Sequence, residues 1–125
     1  MSNNRTKGHD GERYYAKVFR EELGFDNCCT SRYASRLLDN CKIDLVNIPY
    51  CVQIKTGYHK SMKAQIVLKE LSDAIHNHLP ENSEYKDYPK VLIHRLQGTK
   101  GKARTEFDDL VTMTFNDFKK LISKK

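Results

Sequence analysis

Between Lys42 and Lys55 the chain reads KIDLVNIPYCVQIK, and no other stretch restricts the fold as tightly. Lys42–Ile48 and Tyr50–Lys55 are rich in β-branched and aromatic residues and predict two strands. The link Asn47-Ile48-Pro49-Tyr50 is short enough to make them an antiparallel hairpin. If Asn47 pairs with Tyr50, Asp44 faces Gln53 and Lys42 faces Lys55. Side chains alternate across a strand, so these four share one face, with Val46 and Cys51 nearer the turn. Ile43, Leu45, Val52 and Ile54 make the other, apolar face, and a one-residue slip would separate both sets. The apolar face accounts for folding. The polar face needs a chemical reason, because a carboxylate in an apolar strand is costly to bury unless it is paired or holds a metal.

The rest of the chain supplies what covers that hairpin. Tyr15, Val18, Phe19 and Leu23 recur at helical steps and predict a helix over Asp10–Leu23, with Gly24 as its stop. A short strand is expected over Asp26–Arg32, and a loop over Gly57–Ala64. Gln65–Leu79 reads as a second helix carrying Ile66, Leu68, Leu71, Ile75 and Leu79, ended by Pro80. Glu81–Tyr88 is a polar loop and Lys90–Leu96 (KVLIHRL) a strand. After a loop over Gln97–Arg104, Asp109–Thr114 is another strand. A last helix, capped by Thr114 or Asn116, runs to about Ser123 with Phe118, Leu121 and Ile122 as its apolar face. The order αβββαββα predicts an α+β (α/β) fold, a central mixed sheet flanked by helices. At 125 residues the chain forms one domain over 1–125, with the polar residues 1–7 expected to be disordered.

Charge narrows the partners. The chain has 22 Lys and Arg against 16 Asp and Glu, a formal net charge of +6. Between Lys90 and Arg104 five basic residues stand without an acid. Such a surface suits a polyanion; solubility alone is the competing explanation. No apolar run approaches the ~20 residues of a membrane-spanning helix, and the first residues, MSNNRTKGHDGE, lack the apolar stretch of a signal peptide. A cytoplasmic protein with no membrane partner and no small-molecule cofactor is expected. In that setting Cys28, Cys29, Cys41 and Cys51 are expected as reduced thiols, chiefly buried strand residues, since the paired spacing of a zinc site is missing.

An acid on one strand, Gln-x-Lys on the next and Glu12 on a preceding helix together resemble the PD-(D/E)xK nuclease superfamily. The likeness is closest to the archaeal and phage-type Holliday junction resolvases. It covers Lys7-Gly8, Glu12, Gly24-Phe25, the segment TSRYASR (Thr30–Arg36), Lys42-Ile43-Asp44 and the ending LVTMTFNDFKKLI. The resemblance implies a restriction-endonuclease-like core. It also implies that Glu12, Asp44, Gln53 and the backbone carbonyl of Ile54 hold Mg²⁺, with Mn²⁺ able to substitute. Lys55 would orient and help activate the attacking water. Two positions depart from the pattern: Ile43 stands where a proline is common, and Gln53 where an acid is usual. An amide oxygen can ligate Mg²⁺ but carries no charge, so weaker metal binding, or a single tight ion, is expected.

Arginine forks and serine hydroxyls suit phosphates, so Arg13, Ser31, Arg32, Ser35 and Arg36 are candidate DNA contacts, joined by Lys42, Lys100, Lys102 and Arg104. The expected function is a Mg²⁺-dependent, structure-selective endodeoxyribonuclease that resolves four-way junctions by paired symmetric nicks. Two symmetric cuts from a chain with one site imply a homodimer. The rivals are a restriction-like or repair endonuclease on duplex DNA, and a junction-binding module without activity. The tripeptide His76-Asn77-His78 reads as a helix end, His59 as a loop residue, and Tyr14 and Tyr15 as helix-packing residues.

Overall fold

The structure is a computed structural model that describes residues 4–57, 63–96 and 109–123. It is a mixed α+β arrangement, a five-stranded mixed sheet flanked by helices. Helix α1 spans Asn4–Glu21, then come β1 (Cys29–Thr30) and two short helices, α2 (Ser31–Ala34) and α3 (Arg36–Asn40). Next in the chain are strands β2 (Leu45–Val46) and β3 (Cys51–Gly57), then α4 (Ala64–His78), a 3₁₀ turn (Glu84–Lys86), β4 (Lys90–Leu96), β5 (Asp109–Thr112) and α5 (Phe115–Ser123). Among the described residues no helix is long and apolar enough to cross a membrane.

The strands lie in chain order, β1-β2-β3-β4-β5. All neighbours are antiparallel except β3 and β4, which pair in parallel from Cys51↔Lys90 to Gly57↔Leu96. A parallel pair needs a crossover, and α4 supplies it. Alternation along β3 then divides the core. Val52 and Ile54 join Tyr15 and Ala16 of α1, with Leu45, Ile48, Val91 and Ile93. Cys51 joins Leu71 and Ile75 of α4, with Cys41, Ile43 and Leu79.

Helix α1 stops where the sequence places its stop. Gly24 is left-handed (φ 82°) and the Phe25 N–H donates to the Phe19 carbonyl at 2.9 Å. The rings of those two phenylalanines lie 6.0 Å apart, the apolar contact that accompanies this kind of helix end. Gly11 sets how close the helix comes to β3: a Cβ there would meet Thr56 Oγ1 at 3.3 Å and Ile54 Cγ2 at 3.6 Å.

Several expectations need correction. Residues 4–7, expected to be disordered, are the first turns of α1. Leu23 is 54% exposed rather than part of the apolar stripe. The strand expected over Asp26–Arg32 shrinks to Cys29–Thr30, because Ser31 already begins α2. The strand expected over Lys42–Ile48 shrinks to Leu45–Val46. Lys42 (φ 69°) and Asn47 (φ 66°) are both left-handed and cut it at either end, since a strand cannot continue through that conformation. Helix α5 is capped by Thr114, whose Oγ1 accepts the Asp117 N–H at 3.2 Å. Its Phe118, Leu121 and Ile122 are exposed rather than packed, and its buried residue is Asp117, which accepts the Lys90 N–H at 3.0 Å. The four cysteines are free thiols. Burial pushes the Cys28 thiol up to about 11 and the Cys51 thiol up to about 12, so both are packing groups.

Candidate active site

The site begins where the β2–β3 ladder ends. Leu45 is the ladder partner of Val52, the register expected from the sequence. The Asp44 N–H also reaches Val52, donating to its carbonyl at 2.7 Å. Two consecutive residues therefore face one, the count of a β-bulge. The Asp44 side chain completes the break: its Oδ2 accepts the Ile54 N–H at 2.7 Å. In a continued ladder a backbone carbonyl would take that donor. The Ile43 N–H turns away to the Leu38 carbonyl at 3.1 Å. One consequence corrects the expected faces. Ile43 packs with Cys51 on the α4 side, not with Leu45, Val52 and Ile54 on the α1 side.

Asp44 is thus held against β3 by bonds to Val52 and Ile54, the residues on either side of Gln53. Burial pushes its carboxyl up to about 7, and the charges of Glu12 and Asp39 push the same way. The Ile54 N–H and the Lys55 ammonium oppose them. Glu12, Asp39, Asp44 and Lys55 therefore form one electrostatic group, to which Arg32 also belongs. Arg32 Nη2 lies 3.3 Å from Glu12 Oε2, and this bond raises the guanidinium pKa above its ordinary value, with Asp39 and Asp44 adding to it. Glu12 itself is buried at 6% exposure, delivered by the part of α1 that Gly11 lets approach β3.

Gln53 is also 6% exposed, and its Oε1 is buried without a hydrogen-bond partner among the described residues. A buried acceptor left unpaired is rare and asks for a ligand or a water. The Ile54 carbonyl lies on the β2 edge of β3, as does the Ile54 N–H that Asp44 takes. Among the described residues no three His, Cys, Asp or Glu side chains are grouped to hold a metal ion. Two carboxylates, Glu12 and Asp44, act on each other electrostatically, and the orphaned amide oxygen of Gln53 belongs to β3, between the two residues that Asp44 bonds. Hard oxygen donors of this kind fit Mg²⁺, which uses few protein ligands. A cation would also relieve the repulsion that raises the Asp44 carboxyl.

The expected DNA contacts fall into three groups. Arg32 reaches the site through its bond to Glu12. Arg13 is exposed and pairs with Asp10 at 2.6 Å, Arg36 is exposed on α3, and Lys42 is exposed with Glu70 at 3.9 Å. Ser31 and Ser35 each have a structural role. Ser31 is fully buried, its N–H on the Asp44 carbonyl at 2.8 Å and its hydroxyl directed at Asp39 (3.4 Å), so it offers no hydroxyl to a ligand. Ser35 Oγ accepts the Leu38 N–H at 3.2 Å and caps α3. Lys100, Lys102 and Arg104, and likewise His59, lie outside the described residues.

Three residues were not expected. Asp39 sits on α3, a five-residue helix too short to leave a periodic signature. Arg20, whose guanidinium donates to the Cys28 carbonyl at 2.9 Å, lines a cleft of about 460 Å³ with Arg13, Arg32 and Glu12. His94 is buried beside Lys55 in the parallel ladder; only the pairing of KVLIHRL with YCVQIK could have found it. Tyr14 and Tyr15 are packing residues, Tyr14 under the Arg95 guanidinium and Tyr15 bonded to Asp109. No protein-family model, curated protein or solved structure matches this chain.

Proposed function

We infer that the protein is a Mg²⁺-dependent endonuclease selective for branched DNA, a four-way-junction resolvase acting as a homodimer. The observation that carries this reading is the break in the β2–β3 ladder. There a buried carboxylate replaces a backbone acceptor for Ile54, the neighbour of a glutamine whose amide oxygen has no partner among the described residues. A fold has no structural need for that combination, which leaves Asp44 repelled by Glu12 and Gln53 unsatisfied. A divalent cation answers both. The five-stranded mixed sheet, with α1 on one face and α4 on the other, is compatible with a restriction-endonuclease-like core.

Under this reading Glu12, Asp44, Gln53 and the Ile54 carbonyl hold the cation. When bound, Mg²⁺ offsets charge on the scissile phosphate and makes a water more acidic. Lys55 stands two residues beyond Gln53 on the same face of β3, exposed to substrate. It places a positive charge beside the attacked phosphate, where charge grows as the water adds in line. The 3′ oxygen leaves, giving a 5′-phosphate and a 3′-hydroxyl. Arg13, Arg32, Arg36 and Lys42 hold backbone phosphates, contacts that are salt-dependent and indifferent to base sequence. Such contacts suit an enzyme that reads branch geometry. Two symmetric cuts require two copies of the site, hence the dimer.

The test is cleavage of a labelled four-way junction in Mg²⁺ beside a linear duplex of the same arms, with wild type and Asp44→Asn. Paired nicks on the junction only, lost in the variant, are expected. Base-specific cutting of the duplex would move the protein to a restriction-like or repair enzyme. Tight junction binding without cutting in Mg²⁺ or Mn²⁺ would leave a binding module.

A further inference from the structure

The carboxylate that α1 brings to the site is already occupied by a cation of the chain itself. Arg32 Nη2 lies 3.3 Å from Glu12 Oε2. The two partners are unequal: the Glu12 side chain is 8% exposed and that of Arg32 43%. One end of the pair is anchored and the other is free to leave toward solvent. The solvent side of Arg32 is the cleft of about 460 Å³, whose α1 wall carries Arg13 and Arg20. Those two have partners outside the site, the Asp10 carboxylate at 2.6 Å and the Cys28 carbonyl at 2.9 Å. They lend the cleft positive potential. Arg32 alone of the three is bonded to a carboxylate of the proposed site, and both it and Glu12 line the cleft, so an anion entering there meets Arg32 beside the carboxylate that it neutralises.

We propose that Arg32 gates the metal site according to substrate: without DNA it neutralises Glu12 and competes with the divalent cation, and a backbone phosphate entering the cleft draws it away and releases the carboxylate. The gate rests on the metal-dependent nuclease reading above. The chemistry needs no large motion. A buried carboxylate must keep a positive partner, and Arg32 and the cation are alternatives for that place. A phosphodiester offers the guanidinium fork a bidentate match, which exceeds the single bond to Glu12. By linkage, DNA then tightens metal binding and metal tightens DNA binding by the same factor.

Mn²⁺ binding to the full-length protein at pH 8, followed by electron paramagnetic resonance, tests the gate. Arg32→Gln removes an exposed side chain and one positive charge. A divalent ion feels that loss twice as strongly as a proton, so Mn²⁺ is expected to bind the DNA-free variant about tenfold tighter than wild type. Arg36→Gln, the same charge lost four residues on, is the control and should change affinity by less than about twofold. In a Lys55→Ala background, where cutting is blocked and the proposed ligands remain, a four-way junction should tighten Mn²⁺ binding about tenfold with Arg32 present and not with Arg32→Gln. Asp44-dependent Mn²⁺ binding that ignores Arg32, or a junction effect that survives Arg32→Gln, overturns the gate alone. Absence of any Mn²⁺ binding lost on Asp44→Asn, with or without DNA, overturns the metal reading and the gate with it.

Discussion

Strand β3 has two edges built on opposite terms. Toward β4 it is paired along its whole length, from Cys51↔Lys90 to Gly57↔Leu96. Toward β2 it has one ladder pair, Leu45↔Val52, after which a side chain takes over from the backbone. The first edge is regular because α4 returns the chain in parallel and covers one face while α1 covers the other. The second is broken by two left-handed residues, Lys42 and Asn47, that leave β2 two residues long. The two edges therefore divide the labour. The β4 edge holds the sheet together, and the β2 edge carries a buried carboxylate repelled by Glu12, close in the chain to a glutamine whose amide oxygen has no partner among the described residues.

The largest loss that separates the two edges is on the β4 side. Leu92 is fully buried and pairs with Gln53 across the ladder. Leu92→Ala should cost about 3 kcal/mol of stability by urea denaturation, with the rate per folded molecule nearly unchanged. A loss of cleavage without a loss of stability would merge the two edges into one.

Asp44→Asn should do the reverse. The Asp44 carboxyl is raised from its ordinary value of 3.8 to about 7, so the folded state holds this proton more tightly than the unfolded chain does. Its contribution to stability is full below about pH 4 and is lost as pH rises to about 7. Asparagine has no charge to lose and keeps an oxygen for the Ile54 N–H. The metal-free variant should therefore be more stable than wild type at pH 8 by up to about 4 kcal/mol, and nearly equal to it near pH 4. Denaturation in chelator at the two pH values measures this; a variant less stable at pH 8 would mean that the carboxylate supports the fold.

The smallest effect sharpens the β2 edge. Gln53→Glu places a charge where the orphaned amide oxygen lies and should tighten Mn²⁺ binding about tenfold, about 1.4 kcal/mol. Titration by electron paramagnetic resonance reads it directly. If neither affinity nor cleavage rate rises, Gln53 is not a ligand.

How far the sequence carries depends on the range of the interactions involved. β4 spans Lys90–Leu96 as read from KVLIHRL, and α4 lies within one residue of its expected bounds, because apolar period, turn residues and Pro80 all act locally. The Leu45↔Val52 register arises from the short link and from one apolar face. The segment TSRYASR went another way. It reads as a polar loop fit for phosphates, yet it folds as two short helices in which Ser31 is interior and Ser35 is a cap. Helices of four and five residues show no period, so nothing in the letters announces them.

The sequence by itself determined the order of the main elements, the Leu45↔Val52 register and the identity of Asp44, Gln53 and Lys55 as residues in want of an explanation. Those come from alternation, helical spacing and the cost of a buried charge, each legible within about a dozen residues. Tertiary structure alone decided that Asp44 ends a ladder instead of extending it, that Ile43 crosses to the α4 side, and that Arg32 closes on Glu12 from twenty residues away. The reason is that hydrogen bonds and ion pairs between distant segments depend on how helices dock and where a backbone turns left-handed, and neither is written in the spacing of any one segment.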